Sequence, residues 1–276
     1  MVKRLSLLSG CTLLFLLALP TSANAVDLPD ALRYTVNLYS NLHSYTERAT
    51  VEASLQSGST TLERFVEGIV LSAKRPNLLS MVINMSNRSA YQAVYSDGNT
   101  LTVYSSSANQ YFSIPTAPTF AQLLPLLHKR AQINFVPSPL YLFADPSLLS
   151  SFQNFRQEED QAVDGHACRV ISALAPSTPS PLGRQTVSVR WKWYIDKRTG
   201  WIWRLEGVSE PALLRVRLPG HPQPEPTKVI LRIEYRILQE QIDPEIAERD
   251  FRFHPPRGAT PKKGSTVPQA PQRLSK

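Results

Sequence analysis

The sequence predicts a mainly β protein of the α+β class, built on antiparallel strands. Apolar and polar residues alternate over several runs, most regularly from Val229 to Leu238. A period of two residues is typical of strands with one buried and one solvated face. Turn sequences such as Ser96-Asp97-Gly98-Asn99 separate the runs, as expected for hairpins. Near the N-terminus apolar residues instead recur every three or four positions, which predicts an amphipathic helix beginning at Asp30.

These elements form two meanders of strands with a helical segment between them. The first meander is predicted from Tyr45 to Ser105 and the second from Ala167 to Leu238. Between them, the spacing of apolar residues after Phe120 predicts a helix, which Pro125 should bend or break. Two short apolar pieces bounded by proline follow and favour helical turns. Because the strands have one dry face, the helices must cover that face or the sheet must curl on itself.

One predicted hairpin carries all four tryptophans of the chain. Alternation places Trp191 and Trp193 on the dry face of its first strand. The same pattern places Trp201, Trp203 and Leu205 together on one face of its second strand. Such large side chains either pack as ordinary core or line a cavity for an apolar ligand, and alternation alone leaves both alternatives open.

Residues 1–25 have the features of a secretory signal peptide. Two basic residues precede an apolar segment, and Ala23-Asn24-Ala25 is a small-residue cleavage site. The mature chain should therefore begin near Val26 and leave the cytoplasm. Leu8-Ser9-Gly10-Cys11 has the form of a lipidation site, but the apolar run continues beyond it. We therefore expect Cys11 not to carry a lipid anchor.

The positive charge of the chain is concentrated at its C-terminus. The formal net charge is +8, but residues 26–250 carry equal numbers of basic and acidic side chains, and no acidic residue follows Asp250. The tail, residues 259–276, is basic and rich in proline, which predicts disorder. It could contact anionic lipid headgroups peripherally, whereas the neutral remainder argues against nucleic acid. With no linker or repeat in between, residues 26–258 are predicted to form a single domain.

No motif of a known catalytic or metal site occurs in the chain. The five histidines lack metal-ligand spacing, and there is neither a nucleophile elbow nor a phosphate-binding loop. Cys168 follows His166, but it opens an apolar strand, where cysteine typically behaves as a small buried hydrophobe. We therefore expect no enzymatic activity, no metal and no cofactor.

Short phrases in a defined order resemble the LolA and LolB superfamily of periplasmic lipoprotein carriers. The three principal phrases are Lys74–Leu78, Ser96–Tyr104 and Asp250–Ala259. Further phrases are similar to a branch of that superfamily known as predicted periplasmic proteins with a domain of unknown function. These are Asn109–Tyr111, Val163–Cys168 and Trp193–Asp196. The resemblance covers nearly all of residues 28–260 and implies a periplasmic location.

This resemblance implies a strongly curved antiparallel sheet, an incomplete barrel, whose concave face is covered by helices. In the carriers, the space between sheet and helices holds acyl chains. The arginine of an Arg-Pro pair there latches the helical lid by hydrogen bonds, and Arg75 is the matching position. The candidate ligand-binding residues are Arg75, Trp191, Trp193, Trp201, Trp203 and Tyr235.

Two hypotheses about function follow. The first is a monomeric, non-enzymatic periplasmic carrier or chaperone that binds an acylated or other apolar ligand in the concave cavity. The alternative is a sensor or adaptor of the cell envelope, similar to the RseB-type stress regulators, that binds a membrane protein partner. Such a partner could contact exposed arginines, which could equally be ordinary solvated side chains. These arginines are Arg215, Arg217, Arg232 and Arg236.

Overall fold

The computed structural model describes residues 28–85, 90–131, 137–175, 178–179, 186–216 and 225–262. The predicted signal peptide, including Cys11, lies outside these residues, as do Arg217 and residues 263–276 of the basic tail.

The described residues form sixteen strands, three α-helices and two 3-10 helices. The helices are α1 (Asp30–Ser40), α2 (Phe120–Ala131) and α3 (Pro139–Ala144), with the 3-10 helices η1 (Pro146–Ser151) and η2 (Glu248–Phe251). The strands are β1 (Ser44–Ser57), β2 (Thr60–Lys74), β3 (Leu78–Met85), β4 (Ala90–Asp97), β5 (Thr100–Ser105), β6 (Gln110–Pro115), β7 (Gln153–Gln157), β8 (Gln161–Val163), β9 (His166–Leu174), β10 (Thr178–Pro179), β11 (Thr186–Val187), β12 (Val189–Asp196), β13 (Ile202–Ser209), β14 (Ala212–Val216), β15 (Glu225–Ile242) and β16 (Thr260–Pro261).

Fourteen of these strands form one open, curved sheet. Its main path runs β16-β6-β5-β4-β3-β2-β1-β15-β13-β12-β9-β7, with β14 added beside β15 and β8 beside β9. Two meanders thus meet where β1 pairs with β15. Neighbouring strands are antiparallel, except that β16 runs parallel to β6 at one edge. The predicted class, a curved antiparallel sheet in an incomplete barrel, is confirmed.

One large cluster of buried apolar residues lies between the sheet and the helices, and it defines what we call the inner face. α1 contributes Leu32 and Tyr39, α2 contributes Leu123, and α3 contributes Phe143. Pro125 lies inside α2 and does not end it. The concave face is therefore covered by helices, as the resemblance implies.

α1 is attached to the turn between β12 and β13. The Thr35 hydroxyl donates a hydrogen bond to the carbonyl oxygen of Gly200 at 2.9 Å. The ring of Tyr34 lies over the same glycine, so that a Cβ at this position would overlap Tyr34 Cε1. Gly200 also has a φ of +77°, which side chains rarely adopt. Glycine therefore suits both the backbone of this turn and the packing of the Tyr34 ring against it.

Register shifts interrupt the alternation of side chains at four places in the described strands, and two of them affect the residues near the inner face. Trp203 is the extra residue of β13, since Arg204 pairs with Tyr194 and Ile202 pairs with Ile195. Leu238 is the extra residue of β15 beside β1. A bulge places two residues opposite one, so it changes which residues face the core on either side of it.

Candidate functional site

Two tryptophans of the hairpin lie in the core on the inner face. Trp191 and Trp193 are 2% and 0% exposed and pack beneath the helices. Trp193 Nε1 donates a hydrogen bond to the carbonyl oxygen of Pro137 at 3.0 Å, and its ring contacts Phe152 at a centroid distance of 5.6 Å. Because a buried indole N–H needs an acceptor, this bond holds the segment before α3 against the sheet.

Trp203 lies on the opposite, outer face, so the prediction that it shares a face with Leu205 is wrong. The bulge turns Trp203 away from Leu205, which pairs with Trp193. The imidazole of His166 stacks on the Trp203 ring at a centroid distance of 4.0 Å. The ring also packs against a second apolar cluster, formed by Val163, Cys168, Val170 and Tyr194. Trp203 is therefore not part of a wall on the inner face.

The turn between β12 and β13 is organised by Asp196. Its Oδ1 accepts hydrogen bonds from the backbone N–H groups of Arg198 and Thr199, both at 2.8 Å, and its Oδ2 lies 2.9 Å from His166 Nδ1. Burial alone would raise the pKa of Asp196, but hydrogen bonds from Thr199, His166 and Arg198 outweigh it and lower the pKa to about 2. Trp201 follows this turn and is half-buried.

Gly207 is the strand partner of Trp191, and its lack of a side chain makes room for the indole. A Cβ at Gly207 would lie 2.9 Å from both Cη2 and Cζ3 of Trp191. We expect Gly207→Ala to lower the free energy of unfolding by about 1–3 kcal/mol, the usual cost of overpacking. Gly68→Ala in β2 is the matched control, because its Cβ would approach Asn84 no closer than 3.9 Å. Urea unfolding followed by circular dichroism measures both, and equal losses would contradict the packing argument.

Arg75 joins the end of β2 to two helices. Its Nε donates a hydrogen bond to the carbonyl oxygen of Leu42 at 2.8 Å, just beyond α1. Its Nη2 donates to the carbonyl oxygens of Ser40 at 2.8 Å and Phe143 at 2.5 Å. The guanidinium carbon also lies 4.5 Å from the centroid of the Phe143 ring, a cation–π distance. Arg75 thus holds the C-terminal ends of α1 and α3 together, and its role in ligand binding stays a prediction.

A second polar feature lies where α1, β1 and β15 meet. We call it the tyrosine–glutamate cluster, and it comprises Tyr39, Tyr45, Tyr235, Glu47 and Glu240. Glu47 is 3% exposed and accepts hydrogen bonds from Tyr45 at 2.5 Å and from Tyr235. Glu240 accepts from Tyr39 at 3.1 Å and lies 3.2 Å from the Tyr45 hydroxyl. Tyr235, predicted as a ligand-binding residue, therefore holds a buried carboxylate in this structure.

Burial dominates the acid–base properties of this cluster. It raises the pKa of Glu47, although hydrogen bonds from Tyr235 and Tyr45 act in the opposite direction. Burial also raises the pKa of Glu240 to about 8, opposed by a hydrogen bond from Tyr39 and assisted by the nearby charge of Glu47. The pKa values of the three tyrosines lie well above their usual value, chiefly through burial. Glu240 is therefore mostly protonated at neutral pH.

The amino-acid sequence was also compared with known protein families. The model of the family described as "Predicted periplasmic protein (DUF2092)" matches residues 30–180, more than half of the chain. The chain belongs to this family. The resemblance to the branch of predicted periplasmic proteins is thereby confirmed. A search of curated proteins with this chain found no match.

Several solved structures are similar to the DUF2092 protein. LprF from Mycobacterium bovis is 11% identical, with 79% of this chain and 93% of LprF covered at a TM-score of 0.43. The LolA superfamily protein NE2245 from Nitrosomonas europaea is 10% identical, with 83% and 99% covered at a TM-score of 0.31. The MucA/MucB complex of Pseudomonas aeruginosa gives 14% identity, with 82% of this chain and 60% of the matched chain covered, at a TM-score of 0.37.

The residues that invited a catalytic interpretation are arranged differently from a nucleophile and its base. Cys168 Sγ donates to the carbonyl oxygen of His166 at 3.5 Å, and the His166 ring nitrogen Nδ1 faces Asp196 instead. Burial, assisted by the charge of Asp196, raises the pKa of the Cys168 thiol to about 11, which keeps it protonated. Within the described ranges, no group of three or more His, Cys, Asp or Glu side chains is placed to hold a metal ion.

Arginines on the outer face have polar or acidic partners. Arg232 donates a hydrogen bond to Gln56 at 2.9 Å, and Arg236 forms an ion pair with Glu234 at 2.8 Å. These are two of the arginines that could contact a protein partner, and that role stays a prediction. None of the helices in the described part of the chain has the length and apolar character needed to cross a bilayer.

Proposed function

We propose that this protein is a non-enzymatic periplasmic carrier that binds an acylated or other apolar ligand between its helices and the inner face of the sheet. The arrangement of Arg75 is the observation that carries the proposal. One side chain fastens both α1 and α3 to the sheet by hydrogen bonds to backbone carbonyls. Such a fastening can be released and remade without disturbing the strands beneath it.

The cost of releasing the helices from Arg75 and the gain from burying an acyl chain are of similar size. Breaking three hydrogen bonds made by a charged group costs about 1.5–3 kcal/mol each. Burying an acyl chain returns about 0.8 kcal/mol per CH₂ group, so roughly a dozen groups offset that cost. Ligand entry could therefore drive the helices apart, and ligand release would let Arg75 close them again.

The wall of the proposed site is aromatic. Trp191, Trp193 and Tyr235 supply it from the inner face, and Trp201 lies half-buried at the turn that α1 covers. Ligand pockets are mostly apolar and aromatic with few polar groups, which here would be Arg75 and the tyrosine–glutamate cluster. Trp203 is excluded because it lies on the outer face.

Native mass spectrometry of the protein, purified from the periplasm without detergent, tests this proposal. We expect a copurifying lipid of defined mass, and we expect Arg75→Leu to lose it because the helices are no longer held over the chain. Arg64→Leu is the matched control, since Arg64 lies in β2, which ends just before Arg75, but pairs with Glu52 in solvent. A wild-type protein that carries no lipid and takes up no fluorescent fatty acid would refute the carrier function and favour the adaptor hypothesis.

A further inference from the structure

A separate cavity of about 300 Å³ lies on the outer face of β4, β5 and β6. Tyr95, Thr102 and Ser113 form a row across these strands, and they alternate with Val94 and Val103, which pack in the inner-face core. The row therefore points away from the proposed acyl-chain site. The cavity therefore lies on the other side of the sheet from that site.

The other side of this cavity is formed by the C-terminal segment Phe251–His254, which folds back over the sheet. Phe251 is fully buried and anchors the segment. The ring of Phe253 contacts Tyr95, Tyr104 and Tyr111 at centroid distances of 5.6, 5.8 and 5.1 Å. Packing of this kind, together with the pairing of β16 with β6, gives the cavity a defined wall.

The polar groups of the cavity have hydrogen-bonding capacity left over. Asp97 Oδ1 accepts bonds from the backbone N–H groups of Asn99 and Thr100 at 3.0 and 2.8 Å, and its Oδ2 accepts none from the described residues. Arg252 and His254 are exposed residues at the rim of the cavity, and neither side chain forms a hydrogen bond or ion pair with the described part of the chain. The cavity thus offers an acceptor on the sheet side and donors on the segment side.

The balance of charges decides which ligand fits. One carboxylate and one guanidinium offset each other, so a strongly anionic group would be drawn to Arg252 but repelled by Asp97. An acyl chain would cover the Asp97 carboxylate without offering it a hydrogen-bond donor, which is costly. A sugar ring presents hydroxyls that both donate and accept around its edge, and apolar C–H groups on its faces for aromatic rings such as Tyr95. We propose that this cavity binds one sugar ring of a glycan.

Isothermal titration calorimetry of the purified protein with chitotetraose and with maltotetraose tests this site. We expect saturable binding of at least one of them, with a Kd on the order of 1 mM or tighter. Asp97→Asn keeps the acceptor that organises the turn but replaces the free carboxylate oxygen by an amide. Arg252→Gln removes the guanidinium. Each should weaken binding about tenfold, as expected for loss of a hydrogen bond made by a charged group.

Arg249→Gln is the matched control, because Arg249 is an exposed arginine of the adjoining η2 and does not line the cavity. It should bind the sugar as the wild type does, and thermal unfolding verifies that all three variants fold. Absence of binding of both oligosaccharides would overturn the proposal. Binding that is unchanged in Asp97→Asn and Arg252→Gln, or binding of inorganic phosphate in place of the sugars, would overturn it as well.

Discussion

We expect Trp193→Ala to lower the free energy of unfolding by about 3–5 kcal/mol, the usual cost of removing a large aromatic side chain from a core. Trp193 is completely buried and packs against Phe152 under the helices. Its loss also leaves the carbonyl oxygen of Pro137 without its donor. Urea unfolding followed by far-ultraviolet circular dichroism measures the effect without relying on tryptophan fluorescence.

Trp203→Ala is the matched control in the same hairpin. Trp203 is half-buried on the outer face, and its Nε1 has no hydrogen-bond partner among the described residues. We expect a loss of about 1–2 kcal/mol, near the centre of the range for single substitutions. If the two variants were destabilised equally, the greater contribution of Trp193 to the core would be contradicted.

We expect the free energy of unfolding of the wild-type protein to fall between pH 5 and pH 8, and Glu240→Gln to remove most of this fall. The pKa of Glu240 is raised to about 8 in the folded protein, from an ordinary value of 4.5. Between these values the folded state holds a proton that the unfolded state has released. Stability therefore decreases as the pH rises through this window and levels off above it.

The magnitude is a few kcal/mol, with roughly 5 kcal/mol as an upper bound from the pKa difference. The amide oxygen that Glu240→Gln introduces can still accept the hydrogen bond from Tyr39, so the variant should be more stable than the wild type at pH 9. Glu234 lies on the same strand but on the outer face, beside Arg236. Glu234→Gln is therefore the control and should keep the wild-type pH dependence. Thermal unfolding across the pH range measures all three proteins. An unchanged slope in Glu240→Gln would show that the cluster does not retain this proton.

Periodicity in the sequence was sufficient to predict most of the fold. The strict alternation from Val229 to Leu238 lies within β15, and the three- and four-residue spacing after Asp30 corresponds to α1. Both signals exist because one face of each element must be dry. β6 was not predicted, because Gln110–Pro115 is short and its adjacent aromatic residues Tyr111 and Phe112 break the alternation.

The bulges at Trp203 and Leu238 could not be predicted from alternation. Trp203 and Leu238 each add one residue opposite a regular strand, so every side chain beyond them changes face. The prediction for Trp191 and Trp193 needed no bulge, whereas that for Trp203 depended on the absence of one. Bulges arise from the twist and curvature of the whole sheet, which are not local properties of the sequence.

One of the two glutamates in the tyrosine–glutamate cluster can be recognised from the sequence. Glu47 is a charged residue among the inward-facing positions of β1, between Tyr45 and Ala49. A charge on a dry face indicates a buried polar site. Glu240 left no such signal, because it faces inward only through the bulge at Leu238, which aligns it with Glu47.

β15 is the last long strand of the chain, yet it lies near the middle of the sheet, between β1 on one side and β13 and β14 on the other. Tyr235 thus pairs with Val51, which lies far away in the sequence. Pairings so distant in sequence are slow to form, because the entropy of closing the loop is lost before the contacts are gained. Until residues 225–242 arrive, β1 and β13 are open edges that can join strands of other chains. A chain that becomes available N-terminus first therefore keeps these edges unpaired, and stays prone to aggregation, until residues 225–242 are also available.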